Sequence, residues 1–419
     1  MAAIAKIKRE LYMKGSEERG AAWIGARYVG QGLRREETLF YERYSDWPEG
    51  HRIRLSEDNG RTWSDWKLQH EEYPSQGGFS KEEVTFARCY DPLNDKHIQF
   101  VFQRILIGKG NEAVERFFQT GEETMFDHNF YQISDDDERT WGELHQLCYE
   151  EGGVYDLENW GKKEYLLTNK MYGGYSAVAT RQGKIVYPSC GVPFNITDRG
   201  KKEAVKGILC FIGRWNPREK NYDLELSEQI YVPNRVAWGG LEEPVIAELS
   251  DGRLLLVMRG STHVPKWSRW KGEVENGGHK WMSVSQNSGR TWSPVTDLRY
   301  DTGEQFYSPG SQSMLLRHSL TGKLYWFGNI SPTPTHGNDP RYPLYIAEVD
   351  ESIPALKKAT LTVIDDRNPE KDTDNLSLSN FSVFENRETG EMELYLTRYN
   401  ERANVFAADA YKYTITLRE

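Results

Sequence analysis

Cysteine and long apolar runs are scarce in this chain of 419 residues. The four cysteines show no Cys-x-x-Cys spacing, so free, buried thiols are predicted rather than disulfides or a zinc site. No segment approaches the roughly 18 consecutive apolar residues of a membrane-spanning helix, and no membrane partner is predicted. The first residues, MAAIAKIKRELYMKG, lack the apolar core of a secretion signal, which predicts a cytoplasmic location. A secreted or periplasmic location is the alternative if the natural chain begins further upstream.

Positive charge is also in short supply. Lysine and arginine number 53 against 63 aspartates and glutamates, a net charge of −10. Nucleic-acid-binding surfaces need clustered basic side chains to neutralise phosphates, so nucleic acid is not expected as a partner. Basic residues can nevertheless be concentrated on one part of the molecule although the net charge is negative.

Aromatic residues and glycines are abundant, with 13 Trp, 24 Tyr and 37 Gly. Aromatic and β-branched residues between frequent turn residues favour strands. Three related octets also recur, SEDNGRTW from Ser56, SDDDERTW from Ser134 and SQNSGRTW from Ser285. Their starts are 78 and 151 residues apart, close to one and two units of a common repeat. A period of this length is typical of a repeated supersecondary unit such as a propeller blade.

Strand-like runs recur in groups of four around these octets. The clearest group reads EEPVIAELSDG, RLLLVMRG, HKWMSVSQNSGRTW and VTDLRY. The last group has three runs, and AKIKRELYM near the N-terminus is available as its fourth strand. We therefore predict an all-β, six-bladed β-propeller of four-stranded antiparallel blades, closed by the N- and C-terminal strands and forming one domain over 1–419. Segment 151–174 fits no blade and is predicted to be an elaborated loop, so seven blades are the alternative.

Each octet falls between the third and fourth runs of its group. Asp58, Asp136 or Asn287 can accept hydrogen bonds from the backbone of its own turn. Gly60 and Gly289 supply the positive φ of a tight hairpin, whereas Glu138 stands at that position in the second octet and predicts a looser turn. A calcium loop would need further oxygen ligands at fixed spacing, which the octets lack. A structural role without a metal is therefore predicted.

The pattern S-x-D-x-G-x-T-W resembles the Asp box, or BNR repeat, of the sialidase superfamily of propellers. The sequence holds one perfect copy and two degraded copies at blade-like spacing. This resemblance implies the propeller fold. It implies nothing about the chemistry, because the box recurs in enzymes and in binding proteins.

Comparing equivalent positions of the six units gathers basic residues on one rim of the predicted propeller. The ends of second strands carry Arg43, Arg104, Cys190, Arg259, Asn329 and Arg398, the starts of third strands carry His51, His128, Lys206, His279, Lys280 and Arg341, and the starts of first strands carry Glu83, Glu243 and Asn380. Arginine recognises carboxylate and sulfate groups bidentately, which predicts an acidic oligo- or polysaccharide as the partner. The alternative is that these arginines pair with neighbouring glutamates.

The segment GLEEPVIAELSDGRLLLVMR resembles the sialidase segment with a glutamate at a strand start and an arginine sixteen residues later. Glu243 and Arg259 match those positions. Arg341, in NDPRYPLYIAE, resembles a member of the sialidase arginine triad that holds the substrate carboxylate. Two features depart from sialidases: the N-terminal Phe/Tyr-Arg-Ile-Pro motif is absent, and Asn380 and Phe381 stand where the catalytic tyrosine would fall. Without that phenol, the Tyr–Glu nucleophile pair is not expected.

The sequence is also similar to propeller-type polysaccharide lyases, such as the ulvan and rhamnose–glucuronate lyases, which use tyrosine and histidine for proton transfer and arginine to neutralise a uronate. The predicted function is β-elimination on a uronate-containing glycan, without a cofactor. The predicted catalytic residues are His128, Tyr187, Glu243 and Arg259, and the predicted substrate-binding residues are Arg341, Arg104, Arg398, His51 and Tyr175. One alternative is a glycoside hydrolase that uses Glu243 with another carboxylate such as Glu83. The other alternative is a non-catalytic glycan-binding propeller.

Overall fold

The computed structural model describes residues 4–16, 18, 20–44, 47–70, 73–403 and 407–418. The chain divides into two compact units. The first comprises residues 1–72, 277–279 and 298–419, and the second comprises residues 73–276 and 280–297. Each unit contains three antiparallel sheets of four or five strands.

The first unit is built from strands and one short 3-10 helix, Lys358–Thr360. Numbered along the whole chain, its strands are β1 (Ile4–Met13), β2 (Ala21–Tyr28), β3 (Arg35–Tyr44), β4 (Trp47–Ser56), β5 (Lys67–His70), β20 (Met314–Arg317), β21 (Leu324–Asn329), β22 (Leu344–Asp350), β23 (Ala355–Leu356), β24 (Thr362–Asp365), β25 (Ser382–Glu385), β26 (Met392–Thr397) and β27 (Ala410–Leu417). The three sheet orders are β2-β3-β4-β5, β20-β21-β22-β23 with β24 also on β22, and β1-β27-β26-β25.

The second unit contains the two α-helices of the described residues. Its elements are β6 (Ser75–Gln76), β7 (Phe79–Asp91), β8 (Lys96–Ile107), α1 (Gly110–Thr120), β9 (Met125–Ser134), β10 (His145–Gln146), α2 (Lys163–Leu167), β11 (Tyr172–Gly173), β12 (Val178–Ala179), β13 (Lys184–Asp198), β14 (Lys201–Asn216), β15 (Asn221–Leu226), β16 (Trp238–Glu248), β17 (Leu254–Ser261), β18 (Lys280–Ser285) and β19 (Thr296–Asp297). The sheet orders are β10-β9-β8-β7-β6, β11-β13-β14-β15 with β12 also on β13, and β16-β17-β18-β19.

The second strand of a sheet is often buried on both faces. In β17 the five residues Leu254–Met258 have no exposed surface, which explains why this strand reads as an unbroken apolar run. On one face, Leu254, Leu256 and Met258 belong to a core that also includes Ile208, Ile212 and Ile246. The burial of each such side chain stabilises the fold by about 1.5–3 kcal/mol.

The six sheets confirm the predicted six-bladed β-propeller fold. Strand β1 pairs with β27, from Ile4 opposite Leu417 to Met13 opposite Ala410, so the N-terminal strand completes the last sheet as predicted. Segment 151–174 adds no seventh sheet to the described residues; it contains α2 and β11. Helix α1 and strand β6 were not predicted. The assignment of 1–419 to one domain stays a prediction.

The octets close hairpins, as predicted. The third strands β4, β9 and β18 end at Ser56, Ser134 and Ser285. In the first octet the Ser56 hydroxyl donates to Asp58 (2.8 Å) and accepts from the Gly60 N–H (2.8 Å). The Asp58 carboxylate also accepts from the Thr62 N–H (2.8 Å) and hydroxyl (2.6 Å). These bonds hold the pKa of Asp58 down, at about 2.

The other two octets repeat this geometry. Asp136 accepts from the Thr140 N–H at 2.9 Å, and Asn287 accepts from the Thr291 N–H at 2.9 Å. Glu138 takes the left-handed conformation of the missing glycine, with φ 60°. Its N–H reaches the Ser134 hydroxyl at 3.1 Å, slightly longer than in the two octets with glycine.

Two smaller predictions are also tested. All four cysteines are free, but Cys148 is exposed, Cys89 is partly exposed and Cys190 and Cys210 are buried. Among the described residues, no helix has the length and apolar character needed to cross a membrane.

We expect Ser56→Ala and Ser285→Ala each to lower the free energy of unfolding by about 1–2 kcal/mol. Both hydroxyls are buried and bond to a backbone N–H and to the Asp or Asn of the octet, so their loss leaves buried groups unpaired. Urea denaturation measures the effect, with the exposed Ser75→Ala as control. Equal losses of stability in Ser56→Ala and Ser75→Ala would contradict the proposal that the Ser56 hydroxyl stabilises the hairpin of its octet.

Candidate functional site

The second unit carries a cluster of charged and phenolic side chains near the end of β8, near the start of β9, on and just after β11, and in the middle of β16. Arg104 and Asp127 lie opposite each other in the β8–β9 register. They form a bidentate ion pair, with Nε–Oδ1 2.7 Å and Nη2–Oδ2 2.9 Å. Burial alone would lower the pKa of Arg104, but the Asp127 charge raises it. The guanidinium also lies 5.7 Å from the centre of the Tyr172 ring, an arrangement that favours a cation.

Tyr172, Tyr175 and Glu243 form a hydrogen-bonded chain. The two phenolic oxygens are 3.1 Å apart, and the Tyr175 hydroxyl donates to Glu243 Oε1 at 3.1 Å. Burial, and next the charge of Glu243, raise the pKa of both phenols. Both tyrosines therefore stay protonated at neutral pH and can donate.

The backbone fixes Tyr175 beside β16. Its N–H donates to the Pro244 carbonyl at 3.0 Å, and the next residue, Ser176, accepts from the Ile246 N–H at 2.7 Å. The preceding glycines are required by close approach: a Cβ on Gly174 would lie 2.3 Å from the Pro188 carbonyl oxygen. The MYGGY segment can thus place a phenol at the glutamate because it has no side chains at its centre.

Glu243 has an unusual backbone conformation. Its φ is +47°, although a residue before proline ordinarily adopts an extended conformation. It lies in a register shift of the β16–β17 pairing, between Glu242 opposite Arg259 and Val245 opposite Val257. Such left-handed conformations cost about 1–3 kcal/mol and are concentrated at functional sites, where bulges re-aim a side chain.

Arg259 holds the other side of the glutamate. Its Nε lies 2.8 Å from Glu243 Oε2, and its Nη2 lies 3.1 Å from Glu242 Oε2. Burial alone would lower the pKa of Arg259, but the charge of Glu243 raises it. Glu243 therefore has a phenol on one carboxylate oxygen and a guanidinium on the other.

His128 lies apart from this cluster. It is fully buried and stands opposite Gln103 in the β8–β9 register, one residue from Asp127. Successive side chains of a strand point to opposite faces, so His128 lies on the other face of the sheet, stacked on Tyr165 with ring centres 4.1 Å apart. The prediction that His128 contacts substrate finds no support in this placement.

Tyr187 is a core residue. Its side chain is fully buried, its ring stacks on Phe100 at 3.9 Å, and its hydroxyl donates to Asn129 Oδ1 at 3.1 Å. The Asn129 amide in turn donates to the Met171 carbonyl at 2.9 Å. Tyr187 is thus linked through Asn129 to Met171, the first residue of the MYGGY segment, and its hydroxyl is not hydrogen-bonded to Tyr175 or Glu243.

The remaining predicted residues belong to the first unit. Arg398 is buried in ion pairs with Asp365, Asp372 and Glu401, which makes it a structural residue. Arg341 Nη2 donates to the Gly310 carbonyl at 2.8 Å, and His51 stacks on Phe40. The side chain of Arg43 lies outside the described residues.

Four residues of the cluster were not predicted: Glu82, Asp127, Tyr172 and Glu242. Three of them are the immediate neighbours of predicted residues: Glu82 beside Glu83, Asp127 beside His128 and Glu242 beside Glu243. Glu82 lies opposite Arg104, whereas Glu83 lies opposite Gln103. A one-residue shift moves a side chain to the other face of the sheet. Choosing residues that share the face of Arg104 would therefore have selected Glu82 and Asp127 from the sequence.

The resemblance to sialidases places a tyrosine at Asn380 or Phe381, where none stands, and the phenol that contacts Glu243 comes instead from Tyr175. Asn380 itself shares the left-handed conformation of Glu243, with φ 60°. Among the described residues, no group of three or more His, Cys, Asp or Glu side chains is placed to hold a metal ion.

The six sheets define a β-propeller, and solved structures with a similar fold include sialidases. A protein of unknown function from Dyadobacter fermentans is similar over 100% of both chains, with TM-score 0.61 and 11% identity. The NanB sialidase from Streptococcus pneumoniae is similar over 99% of this chain and 70% of its own, with TM-score 0.57 and 12% identity. The α-L-arabinofuranosidase Arb93A from Fusarium graminearum is similar over 98% and 97%, with TM-score 0.50 and 10% identity. At these identities the likeness shows the fold alone.

Comparison with protein-family models gives no match, and comparison with curated proteins also gives none.

We expect His128→Phe to make stability less sensitive to acid. Burial lowers the pKa of His128 from 6.5 to about 4, so between these values the unfolded chain binds a proton that the folded chain does not. Stability therefore falls as pH drops through this window, by about 3 kcal/mol in total. Phenylalanine keeps a ring against Tyr165 and removes this loss, which urea denaturation at pH 7, 5.5 and 4.5 measures.

The matched control is the exposed His263→Phe, which should follow the parent. Activity on any glycan substrate should survive His128→Phe. Loss of activity in a folded His128→Phe protein would return His128 to the catalytic set.

Proposed function

We propose that this protein is a glycosidase that cleaves a glycan with Tyr175 and Glu243. The observation that carries the proposal is the 3.1 Å hydrogen bond from the Tyr175 hydroxyl to Glu243, with Arg259 on the other carboxylate oxygen. A phenol is a weak nucleophile at neutral pH and needs an adjacent base. A tyrosine nucleophile is the known variation of the two-carboxylate mechanism in sialidases.

The reaction proceeds by two displacements. Tyr175 Oη attacks the anomeric carbon while Glu243 takes the phenolic proton, and the bond to the leaving oxygen breaks, so that the leaving group departs as an oxyanion and takes a proton from solvent. Water then attacks the anomeric carbon and gives its proton to solvent, the bond to Tyr175 Oη breaks, Glu243 returns the phenolic proton to Tyr175, and the free sugar leaves. Tyr172, hydrogen-bonded to Tyr175, can stabilise the phenolate as charge develops on it.

The acidic character of the substrate rests on Arg259. Arg104 and Arg398 are occupied by carboxylates of the protein. Arg259 Nη2 instead pairs with Glu242, whose side chain is 42% exposed. A substrate carboxylate can replace this partner, because it leaves the guanidinium paired and the exposed Glu242 carboxylate can be hydrated instead. We therefore include an acidic sugar in the proposal.

β-Elimination by His128 and Tyr187 is less favoured by this geometry. His128 lies on the opposite face of its sheet from Asp127, and the Tyr187 hydroxyl is used within the core. A general base must lie within hydrogen-bond reach of the proton that it removes. The hydrolase that relies on Glu243 is thus the better-supported function, and the lyase is an outcome of the tests below.

We expect Glu243→Gln and Tyr175→Phe each to reduce kcat about a thousandfold, because each removes one member of a unit that acts together. The 4-methylumbelliferyl glycosides of N-acetylneuraminic acid and L-arabinofuranose provide the fluorescent assay, since their phenolate leaves without an acid catalyst. Tyr187→Phe is the matched control and should keep activity within a few-fold. Full activity of Tyr175→Phe would reject the nucleophile, and no turnover of any glycan would favour the non-catalytic glycan-binding alternative.

We also expect that a uronate polysaccharide incubated with the protein yields no unsaturated product, because the acid and base of an elimination are not assembled. The ultraviolet absorbance of the unsaturated uronate measures this, and a reducing-end assay detects hydrolysis in the same sample. An unsaturated product that disappears in His128→Phe would reinstate the lyase.

A further inference from the structure

An aromatic surface lies at the strand ends that carry the candidate site. Two connections leave these ends within the second unit: α1 follows β8, which carries Arg104, and residues 262–276 follow β17, which carries Arg259. Four aromatic residues on or beside them form what we call the aromatic platform: Phe117, Phe118, Trp238 and Trp267. The Trp267 ring lies 5.7 Å from Trp238 and 6.2 Å from Phe117, edge-to-face in both cases.

The platform is held rigidly by the backbone. Trp267 Nε1 donates to the Phe118 carbonyl at 2.9 Å, and Trp238 Nε1 donates to the Ser268 hydroxyl at 3.0 Å. Gly121 ends α1 with φ 71°, and a Cβ there would lie 2.4 Å from the Trp267 ring. Only glycine at this helix terminus leaves room for the Trp267 indole to pack against it.

Ion pairs fix the second connection. Glu275 binds Arg199 through both carboxylate oxygens, at 2.8 and 3.0 Å, and Arg235 at 3.1 Å. Arg235 also binds Asp198. The long β13–β14 hairpin, which carries Asp198 and Arg199, thus braces the segment that carries Trp267.

The platform presents aromatic faces to solvent. The Phe118 side chain is 58% exposed, and the other three rings are partly exposed. Both indole N–H groups are used within the protein, so the platform offers a ligand ring surface rather than hydrogen-bond donors. The rings of sugars carry apolar C–H faces that suit such a surface, and exposed aromatic clusters mark binding sites.

The register places the platform beside the reacting groups. Trp238 stands opposite Ser261 in the β16–β17 pairing, two residues beyond Arg259 and therefore about 7 Å along the strand. We infer that the platform is a subsite that stacks a sugar ring adjacent to the one that is cleaved. This inference rests on the proposed function for its substrate class, but not for the binding itself.

Binding to pairs of short and long glycans tests the subsite. The probes are N-acetylneuraminic acid with 3′-sialyllactose, and L-arabinose with arabinotriose, titrated calorimetrically into the wild type and Glu243→Gln. Phe118→Ala and Trp267→Ala should weaken binding of the longer member of a pair about tenfold, the effect of a lost stacking contact, and leave the shorter member nearly unchanged. Trp267→Phe should keep most of the affinity.

The controls separate structure from recognition. Phe118→Ala alters an exposed side chain and leaves the carbonyl that holds Trp267, so it should fold normally. Tyr231→Ala removes an exposed aromatic ring outside the platform and should bind as the wild type does. Equal weakening of short and long members, unchanged binding by both platform variants, or no binding of any probe would each overturn the subsite.

Failure of the subsite and failure of the proposed function can be told apart. Length-dependent binding that the platform variants abolish, without turnover by the wild type, supports the subsite and rejects the glycosidase. Turnover that is lost in Tyr175→Phe but unaffected by the platform variants supports the glycosidase and rejects the subsite.

Discussion

The alternation of side chains between the two faces of a strand determines which residues form the candidate site. In the sheet of β7, β8 and β9, one face carries Glu82, Arg104 and Asp127, and the other carries Glu83, Gln103 and His128. The first face meets Tyr172, and the second is covered by Tyr165 and its neighbours from the segment around α2. Because both faces are packed, a shift of one residue would bury charges against an apolar cluster, and the register is strongly fixed.

The second constraint is the neutralisation of arginine. A guanidinium that loses most of its water needs an acidic partner, and the structure supplies one to three arginines at second-strand ends: Asp127 to Arg104, Glu243 to Arg259 and Asp365 to Arg398. These three arginines of the basic rim inferred from the sequence are therefore paired with carboxylates. This pairing agrees with the net charge of −10, and it leaves anion recognition to an arginine whose partner can be replaced.

Local patterns predicted the fold well, and contacts between distant segments limited the prediction of the site. The octets specify their own hairpins through bonds spanning four residues, such as Thr62 to Asp58, so their place between third and fourth strands is readable from the sequence. The fourth strand of the last sheet was also predicted, because the last group of strand-like runs in the sequence has only three members. Helix α1 was missed although Gly121 stands at its C-terminal cap, a recognised end signal.

The site itself depends on a contact that no local pattern encodes. Tyr175 and Glu243 are 68 residues apart, and their meeting requires the glycine pair before Tyr175 and the bulge at Glu243. Comparison of blades selected Glu243 at a predicted strand start, and the same comparison selected Asn380, which shares its left-handed backbone. Glu83 was grouped with them, but its backbone lacks this conformation and its side chain points to the opposite face from Arg104.

The left-handed conformation, rather than the position at a strand start, thus distinguishes Glu243 from Glu83. Pro244 disfavours this conformation at the preceding residue, and the fold maintains it through the backbone bond from Tyr175 to the Pro244 carbonyl and the ion pair with Arg259. Tyr175 and Arg259 thus hold the backbone at Glu243 and also contact its carboxylate. The same two residues therefore maintain the left-handed conformation and form the chemical environment of the glutamate.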